Sequence, residues 1–129
     1  MKRYIRGYFS HPIRGEAGVV ATKEEMINNC EQAVRAAEKI RKFWGPALDL
    51  YVPAEHQEIL FHLLEAGNVT HNEIVECSCL IVADIDLFFL YLPGPISAGQ
   101  LREQDTAKHW KKNIIVVDDA AIAALSRLC

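Results

Sequence analysis

Residues 86–107, with the sequence DLFFLYLPGPISAGQLREQDTA, decide the fold of this 129-residue chain. The apolar run LFFLYL is typical of a strand that is buried on both faces, as strands of a parallel sheet are. The Pro-Gly-Pro segment after it predicts a turn, and Ser97 is a typical N-cap for the helix that follows. A strand, a turn and a helix in this order indicate one unit of an α/β fold.

An acidic residue, Glu103, lies on the side of that helix expected to face the core. The spacing i, i+4, i+7, i+8, i+11 is that of an apolar stripe. The stripe consists of Gly99, Glu103, Thr106, Ala107 and Trp110, and the positions expected to face solvent are Arg102, Gln104, Lys108, Lys111 and Lys112. A carboxylate just beyond the carboxyl end of a strand is well placed for chemistry, because ligands of parallel α/β sheets bind there.

The rest of the chain alternates predicted strands with predicted helices. Further strands are predicted at 4–9, 47–52 and 113–117, and two capping boxes, Thr22 with Glu25 and Thr70 with Glu73, predict helix starts. The connecting helices are expected to turn these residues inward: Ile59, Leu60, Leu63, Leu64, Ile74, Cys77, Leu80 and Ile81. Because this alternation implies crossover connections, we predict one domain over residues 1–129, a three-layer α/β sandwich with a four- or five-stranded parallel sheet of the flavodoxin or Rossmann type.

Composition and charge narrow the classes of partner. The formal net charge is −3 and the basic residues are dispersed, which disfavours a nucleic-acid-binding surface. No apolar run reaches membrane-spanning length, and the first ten residues do not resemble a signal peptide. The four cysteines, Cys30, Cys77, Cys79 and Cys129, are irregularly spaced, which is typical of reduced thiols in a cytoplasmic protein. No grouping has the spacing of metal ligands, so we expect neither a metal nor a cofactor.

Two segments carry the candidate site residues. The start of the helix at Ser97 and Gly99 offers free backbone N–H groups for an anion such as phosphate, although an ordinary helix cap has the same sequence. The loop after the first strand, YFSHPIRG, supplies Tyr8, Ser10, His11, Ile13, Arg14 and Gly15. The alternatives are a packed Tyr8, a solvated Arg14 and a Glu103 that hydrogen-bonds to a neighbouring loop at the rim.

These two segments together resemble the nucleoside 2-deoxyribosyltransferase-like superfamily, and the pattern is most similar to that of the 2′-deoxynucleoside 5′-monophosphate N-glycosidases. Members open with a strand ending in Tyr-Phe-x-Gly-Ser-Ile-Arg-Gly, where this chain has YFSHPIRG. They continue with an Ala-Asp-hydrophobic strand, a Ser-x-Gly helix start, a helical Glu and an Ala four residues later. The corresponding residues here are Asp86, Ser97, Gly99, Glu103 and Ala107. The resemblance spans nearly the whole chain.

The resemblance implies a role for each matching residue. Glu103 would be the nucleophile that attacks the anomeric carbon, assisted by Tyr8, as in retaining glycosidases. Ser97 and Gly99 would hold the 5′-phosphate or 5′-hydroxyl. The rest of the substrate-binding set is Ser10, His11, Ile13, Arg14, Gly15 and Asp86. Relatives usually form homodimers in which a neighbour closes the pocket.

The chain departs from the family pattern at the second catalytic acid. The family places an Asp eight residues before the strand's Asp, and this chain has Ser78 there. Asp84 substitutes for it if the register slips by one turn, whereas Glu76 lies on the wrong helix face. His11, in place of a glycine, is another candidate, because imidazole titrates near neutral pH, although a histidine on the surface of a drifted loop is the simpler interpretation.

Two functions are therefore expected from different classes. The first is N-glycosidic bond cleavage or deoxyribosyl transfer on a nucleoside or nucleoside 5′-monophosphate. The second is a non-catalytic domain that binds a nucleotide or an ADP-ribose-like ligand as a sensor. An unrelated flavodoxin-like or response-regulator-like domain is disfavoured, because that class would have an acidic cluster after the first strand and a lysine after the last.

Overall fold

A computed structural model of the chain describes residues 4–128, except for the side chains of residues 16, 17 and 19. These residues form five helices and four strands, with one helix or, between the second and third strands, two helices after each strand. The strands are β1 (Ile5–Ser10), β2 (Leu48–Tyr51), β3 (Leu87–Leu92) and β4 (Asn113–Asp118). The helices are α1 (Lys23–Trp44), α2 (Gln57–Glu65), α3 (His71–Val82), α4 (Ala98–His109) and α5 (Asp119–Leu128). Two short 3₁₀ segments, Gly15–Val20 and Pro53–His56, follow β1 and β2.

The four strands form one parallel sheet in the order β2-β1-β3-β4. This confirms the predicted α/β sandwich of flavodoxin or Rossmann type, with four strands in the part of the chain described. Strand order reverses between β1 and β3, since β2 lies to one side of β1 and the later strands lie to the other. That reversal creates the crevice where open α/β sheets bind ligands.

The side chains of the two central strands, β1 and β3, point alternately into two separate hydrophobic cores. Phe9 and Phe89 belong to one hydrophobic core, which α1 and α5 cover. Ile122 of α5 is part of this core. Tyr8 and Phe88 belong to the other, which α3 and α4 cover. Because successive residues of a strand point to opposite faces, a strand that is apolar throughout is what both layers of helices require.

The predicted helix caps are present. In α1 and α3 the Thr22 and Thr70 hydroxyls accept hydrogen bonds from the backbone of the glutamate three residues later, and both capping boxes are complete. Ser97 caps α4 in the same way with Gln100. Gly45 ends α1 with a φ of 85°, a conformation that favours glycine.

The prediction of which residues face the core is partly wrong for three helices, α2, α3 and α4. The buried stripe of α4 is Gln100, Glu103 and Ala107, whereas Trp110 follows the last helical residue, stacks edge-on against His109 and is exposed. Ile59, Leu80 and Cys77 are also exposed, and the buried residues of α2 and α3 are Phe61, Val75 and Val82. The helices pack through narrower i, i+3, i+7 stripes, so apolar residues beside the stripe remain in contact with water.

Cys30, Cys77 and Cys79 are free thiols, as predicted, while Cys129 lies outside the described residues. Over residues 4–128, no helix combines the length and the hydrophobicity needed to cross a bilayer.

Candidate functional site

A cavity of about 480 Å³ opens at the carboxyl ends of β1 and β3, on the side covered by α3 and α4. Its walls come from β1 and the loop after it, from α2 and α3, and from the first turns of α4. The predicted site residues that line it are Tyr8, His11, Ile13, Arg14, Gly15, Ser97, Gly99 and Glu103. The topology thus brings together two sequence segments about 90 residues apart.

The carboxylate of Glu103 is held in this cavity by two hydroxyl groups from β1. Tyr8 donates a hydrogen bond to one oxygen, and Ser10 donates to the other over 2.8 Å. Glu103 is only 7 % exposed, and Tyr8 and Ser10 are fully buried. A carboxylate with both oxygens hydrogen-bonded is fixed in orientation, which a reacting group requires.

Burial has the largest effect on the pKa values of Glu103 and Tyr8. It raises the pKa of Glu103 to about 7, although the hydrogen bonds from Tyr8 and Ser10 act in the opposite direction. Burial, and then the charge of Glu103, raise the pKa of Tyr8 well above its ordinary value. Tyr8 is therefore a neutral hydroxyl donor at physiological pH, and Glu103 gains or loses its proton close to neutrality.

Gln100 is a site residue that the sequence analysis missed. Its amide nitrogen donates to the Tyr91 carbonyl over 2.6 Å and to the Ser10 carbonyl over 3.3 Å. Its amide oxygen accepts from the Ser97 backbone over 3.1 Å. The Ser-x-x-Gln capping pattern was the available signal, but it gives no indication that the same side chain reaches two strands.

The loop after β1 is tied through His11 to the 3₁₀ segment that follows β2. The imidazole is buried, and its Nε2 accepts a hydrogen bond from the Ala54 backbone over 3.0 Å. Burial lowers the pKa of His11 to about 4. His11 is thus neither a surface residue nor an acid at neutral pH, and both expectations are corrected: it fixes the loop.

Gly15 is required by the geometry of the same loop. Its φ is 62°, and a Cβ at this position would approach the Asn29 side chain to 3.0 Å. The Asn29 amide donates to the Ile13 carbonyl over 2.9 Å, so α1 holds the loop at this point. The loop after β1 is therefore held by two contacts, one with Asn29 of α1 and one between His11 and Ala54.

Two cationic side chains, Arg14 and Arg102, line the cavity near the start of α4. His71 lines it too, but burial and then the charges of the two arginines lower the pKa of its imidazole, so His71 favours the neutral form. The N–H groups of Ala98 and Gly99 belong to the first turn of α4, where a helix has no backbone acceptors of its own. This end of the cavity favours an anionic group.

Ser78 faces the cavity. It lines the wall and donates to the Ile74 carbonyl over 3.1 Å. It lies close enough to Tyr8 for its hydroxyl to oppose the rise of that residue's pKa. Glu76 points away, is exposed and lies 3.7 Å from Arg102.

Three predicted site residues have other roles. Asp84 and Asp86 lie before the amino end of β3, the end opposite the cavity, so neither fits its expected place in the site. Asp84 is 73 % exposed and pairs with Arg6, while Asp86 accepts from the Arg6 backbone over 2.9 Å and aligns β1 with β3. Ser10 contacts Glu103 instead of facing the cavity.

The wall opposite the sheet is largely aliphatic. It is formed by Leu60, Leu63, Val69, Ile74 and Ile81, from α2, α3 and the segment between them. Tyr51 lies beside Tyr8, with ring centroids 5.7 Å apart, and His56 stacks on its other face at 5.3 Å. The cavity thus combines a buried acid, an anion-favouring end and an apolar wall, which is the composition of a small-molecule site.

Comparisons of the chain with known protein families, with curated proteins and with solved structures found no match.

Proposed function

We propose that the protein breaks the N-glycosidic bond of a nucleoside or nucleoside 5′-monophosphate, with Glu103 as the nucleophile. The proposal includes both fates of the sugar, hydrolysis by water and transfer to a second base. It rests on the site geometry together with the motif resemblance.

One observation carries the proposal: the Glu103 carboxylate lies in a cavity, nearly buried, and both of its oxygens are fixed by Tyr8 and Ser10. Breaking an N-glycosidic bond builds positive charge on the sugar ring. A carboxylate held beside the anomeric carbon stabilises that charge and forms a bond to the carbon. Burial strengthens this interaction because water does not screen it.

The steps balance without a cofactor. A Glu103 oxygen bonds to the anomeric carbon while the carbon–nitrogen bond breaks, and the bonding electron pair leaves with the base, which takes a proton from solvent. Water or a second base then attacks the same carbon, loses a proton to solvent and releases the carboxylate. In this proposal Arg14, Arg102 and the first turn of α4 bind the 5′-phosphate, which is supported by the combination of cationic side chains with a helix N-terminus at one end of the cavity.

The experiment is a turnover assay on a panel of ribo- and deoxyribonucleosides and their monophosphates, with free base measured by chromatography. We expect base release by the wild-type chain and none by Glu103→Gln, which keeps the shape of the side chain. Glu73→Gln is the matched control, since Glu73 also lines the cavity but is engaged in the cap of α3. Equal release by Glu103→Gln and the wild type would reject the proposal.

A second candidate, a domain that binds a nucleotide or an ADP-ribose-like ligand without turnover, is favoured by Ser78. A serine hydroxyl at the place of the family's acid hydrogen-bonds to a base but does not protonate it. Ligand-induced thermal stabilisation without base release anywhere in the panel would establish this alternative.

We also propose a cytoplasmic homodimer. The reduced thiols support the compartment, and the motif resemblance supports the dimer. Light scattering coupled to size-exclusion chromatography tests the assembly, with about twice the 14.5 kDa mass of one chain as the expected result and a monomer as the contrary one.

A further inference from the structure

We propose that Gln100 is a positioning residue: by joining the ends of β1 and β3 to the start of α4, it holds the Ser10 hydroxyl and the Glu103 carboxylate in contact. This inference rests on the proposed function for its effect on rate. Its structural part can be measured without substrate.

Gln100 makes more hydrogen bonds than a helix cap requires. Gln100 is 1 % exposed, and its amide bonds to the backbone of three segments, namely Tyr91 at the end of β3, Ser10 at the end of β1 and Ser97 at the start of α4. A cap alone needs only the bond to Ser97. The two bonds to the strands are additional, and they cross the point where the strand order reverses.

Gln100 lies next to Glu103 on the same helix. The two residues are three positions apart in α4, so they share its buried face. The partners of Glu103, Tyr8 and Ser10, both belong to β1. The geometry of the carboxylate therefore depends on how α4 sits against β1, and Gln100, like Glu103 itself, is a buried side chain of α4 that hydrogen-bonds to β1.

Gln100 and Glu103 share a hydrogen-bond partner, Ser10. Gln100 binds the carbonyl oxygen of Ser10, and Glu103 binds its hydroxyl. Fixing the carbonyl restricts the peptide that carries the side chain. Loss of the amide should therefore loosen the hydroxyl from the carboxylate even though neither group has been altered.

The test compares Gln100→Met with Gln104→Met, the same substitution at a half-buried position one residue beyond Glu103. A carbon-13 NMR titration of the substrate-free glutamate side chains gives the pKa of Glu103. Because the Ser10 hydrogen bond lowers this pKa, we expect a rise of roughly one unit in Gln100→Met and no change in Gln104→Met. With substrate, kcat should fall by roughly 100-fold, with a smaller change in KM.

A double-mutant cycle with Ser10→Ala separates positioning from a general loss of packing. If Gln100 acts through Ser10, the second substitution adds little to the shift in the pKa of Glu103 caused by the first. Additive shifts, or an unchanged pKa in Gln100→Met, would overturn the inference. If Gln100→Met does not fold, as judged by circular dichroism, Gln100→Asn replaces it, since its shorter amide does not reach both strands.

The two proposals fail in different ways. If the wild-type protein releases no base but Gln100→Met shows the expected rise in the pKa of Glu103, the enzyme is rejected and the positioning role is retained. A wild-type protein that turns over substrate, with Gln100→Met unchanged in both pKa and kcat, rejects only the positioning role.

Discussion

The hydroxyl of Tyr8 donates a hydrogen bond to the carboxylate of Glu103, a residue 95 positions further along the chain. Neither partner is exposed to bulk water to any large extent. The bond joins the central strand β1 to α4 at the cavity. The hydroxyl of Tyr8 stays neutral because its pKa is raised, and its hydrogen bond lowers the pKa of Glu103.

The first prediction is the pH dependence of the rate. The nucleophile is the ionised form, so kcat should rise with pH through the pKa of Glu103, about 7. In Tyr8→Phe the midpoint should move upward by about one to two pH units, because a hydrogen bond to a charged group contributes about 1.5–3 kcal/mol. A pH–rate profile of both proteins measures this. A wild-type profile that is flat between pH 5 and 9 would contradict it.

The second prediction links Glu103 to stability. Its pKa is raised from the ordinary 4.5 to about 7, so the folded protein binds the proton more tightly than the unfolded chain does. The stabilisation is complete below pH 4.5 and is lost as the pH rises through 7. Between pH 5 and pH 8 the wild type should lose about 2.5 kcal/mol of unfolding free energy relative to Glu103→Gln. Urea unfolding at the two pH values gives the difference, and parallel curves would be the contrary result.

The third prediction concerns the anion-favouring end of the cavity. Arg102→Gln should raise KM for nucleoside monophosphates by about tenfold, the equivalent of about 1.4 kcal/mol, and leave KM for the uncharged nucleosides almost unchanged. Lys108→Gln, an exposed position on the same helix, controls for net charge. Equal changes in KM for nucleoside monophosphates in the two variants would mean that Arg102 acts only through the net charge of the protein.

The fourth prediction follows from the position of Asp84. Asp84→Asn should leave turnover unchanged and lower the unfolding free energy by less than about 1 kcal/mol, because its ion pair with Arg6 is exposed. Steady-state kinetics and urea unfolding measure the two quantities. A loss of turnover in a folded Asp84→Asn protein would place Asp84 in the reaction after all.

The fold follows from local signals that act over a few residues. The apolar run of β3, the capping boxes at Thr22 and Thr70, and Gly45 at the end of α1 each determine an element without help from the rest of the chain. Alternation of strands and helices then restricts the topology, because crossover connections require parallel strands. The sequence also identifies Glu103 as a candidate site residue, because an acidic residue in the core-facing stripe of a helix is unusual.

The rest of the site depends on contacts that sequence spacing does not show. Whether α4 turns Gln100 or Trp110 toward the sheet depends on a rotation of a fraction of a helical turn, which packing against α3 and β3 decides. The bond between Ser10 and Glu103 depends on which strands are neighbours. Asp84 was expected in the site by its distance along the chain, although it precedes the strand and so lies at the wrong end of the sheet.

The most direct test of the account is to look for the covalent intermediate. The protein is mixed with a large excess of a substrate from the panel, quenched in acid within milliseconds to seconds, digested and examined by mass spectrometry. The account predicts a peptide containing Glu103 that carries the mass of the sugar, or of the sugar phosphate, and no such adduct in Glu103→Gln. An adduct on any other residue, or turnover with no adduct at any quench time, would contradict the assignment of Glu103 as the nucleophile.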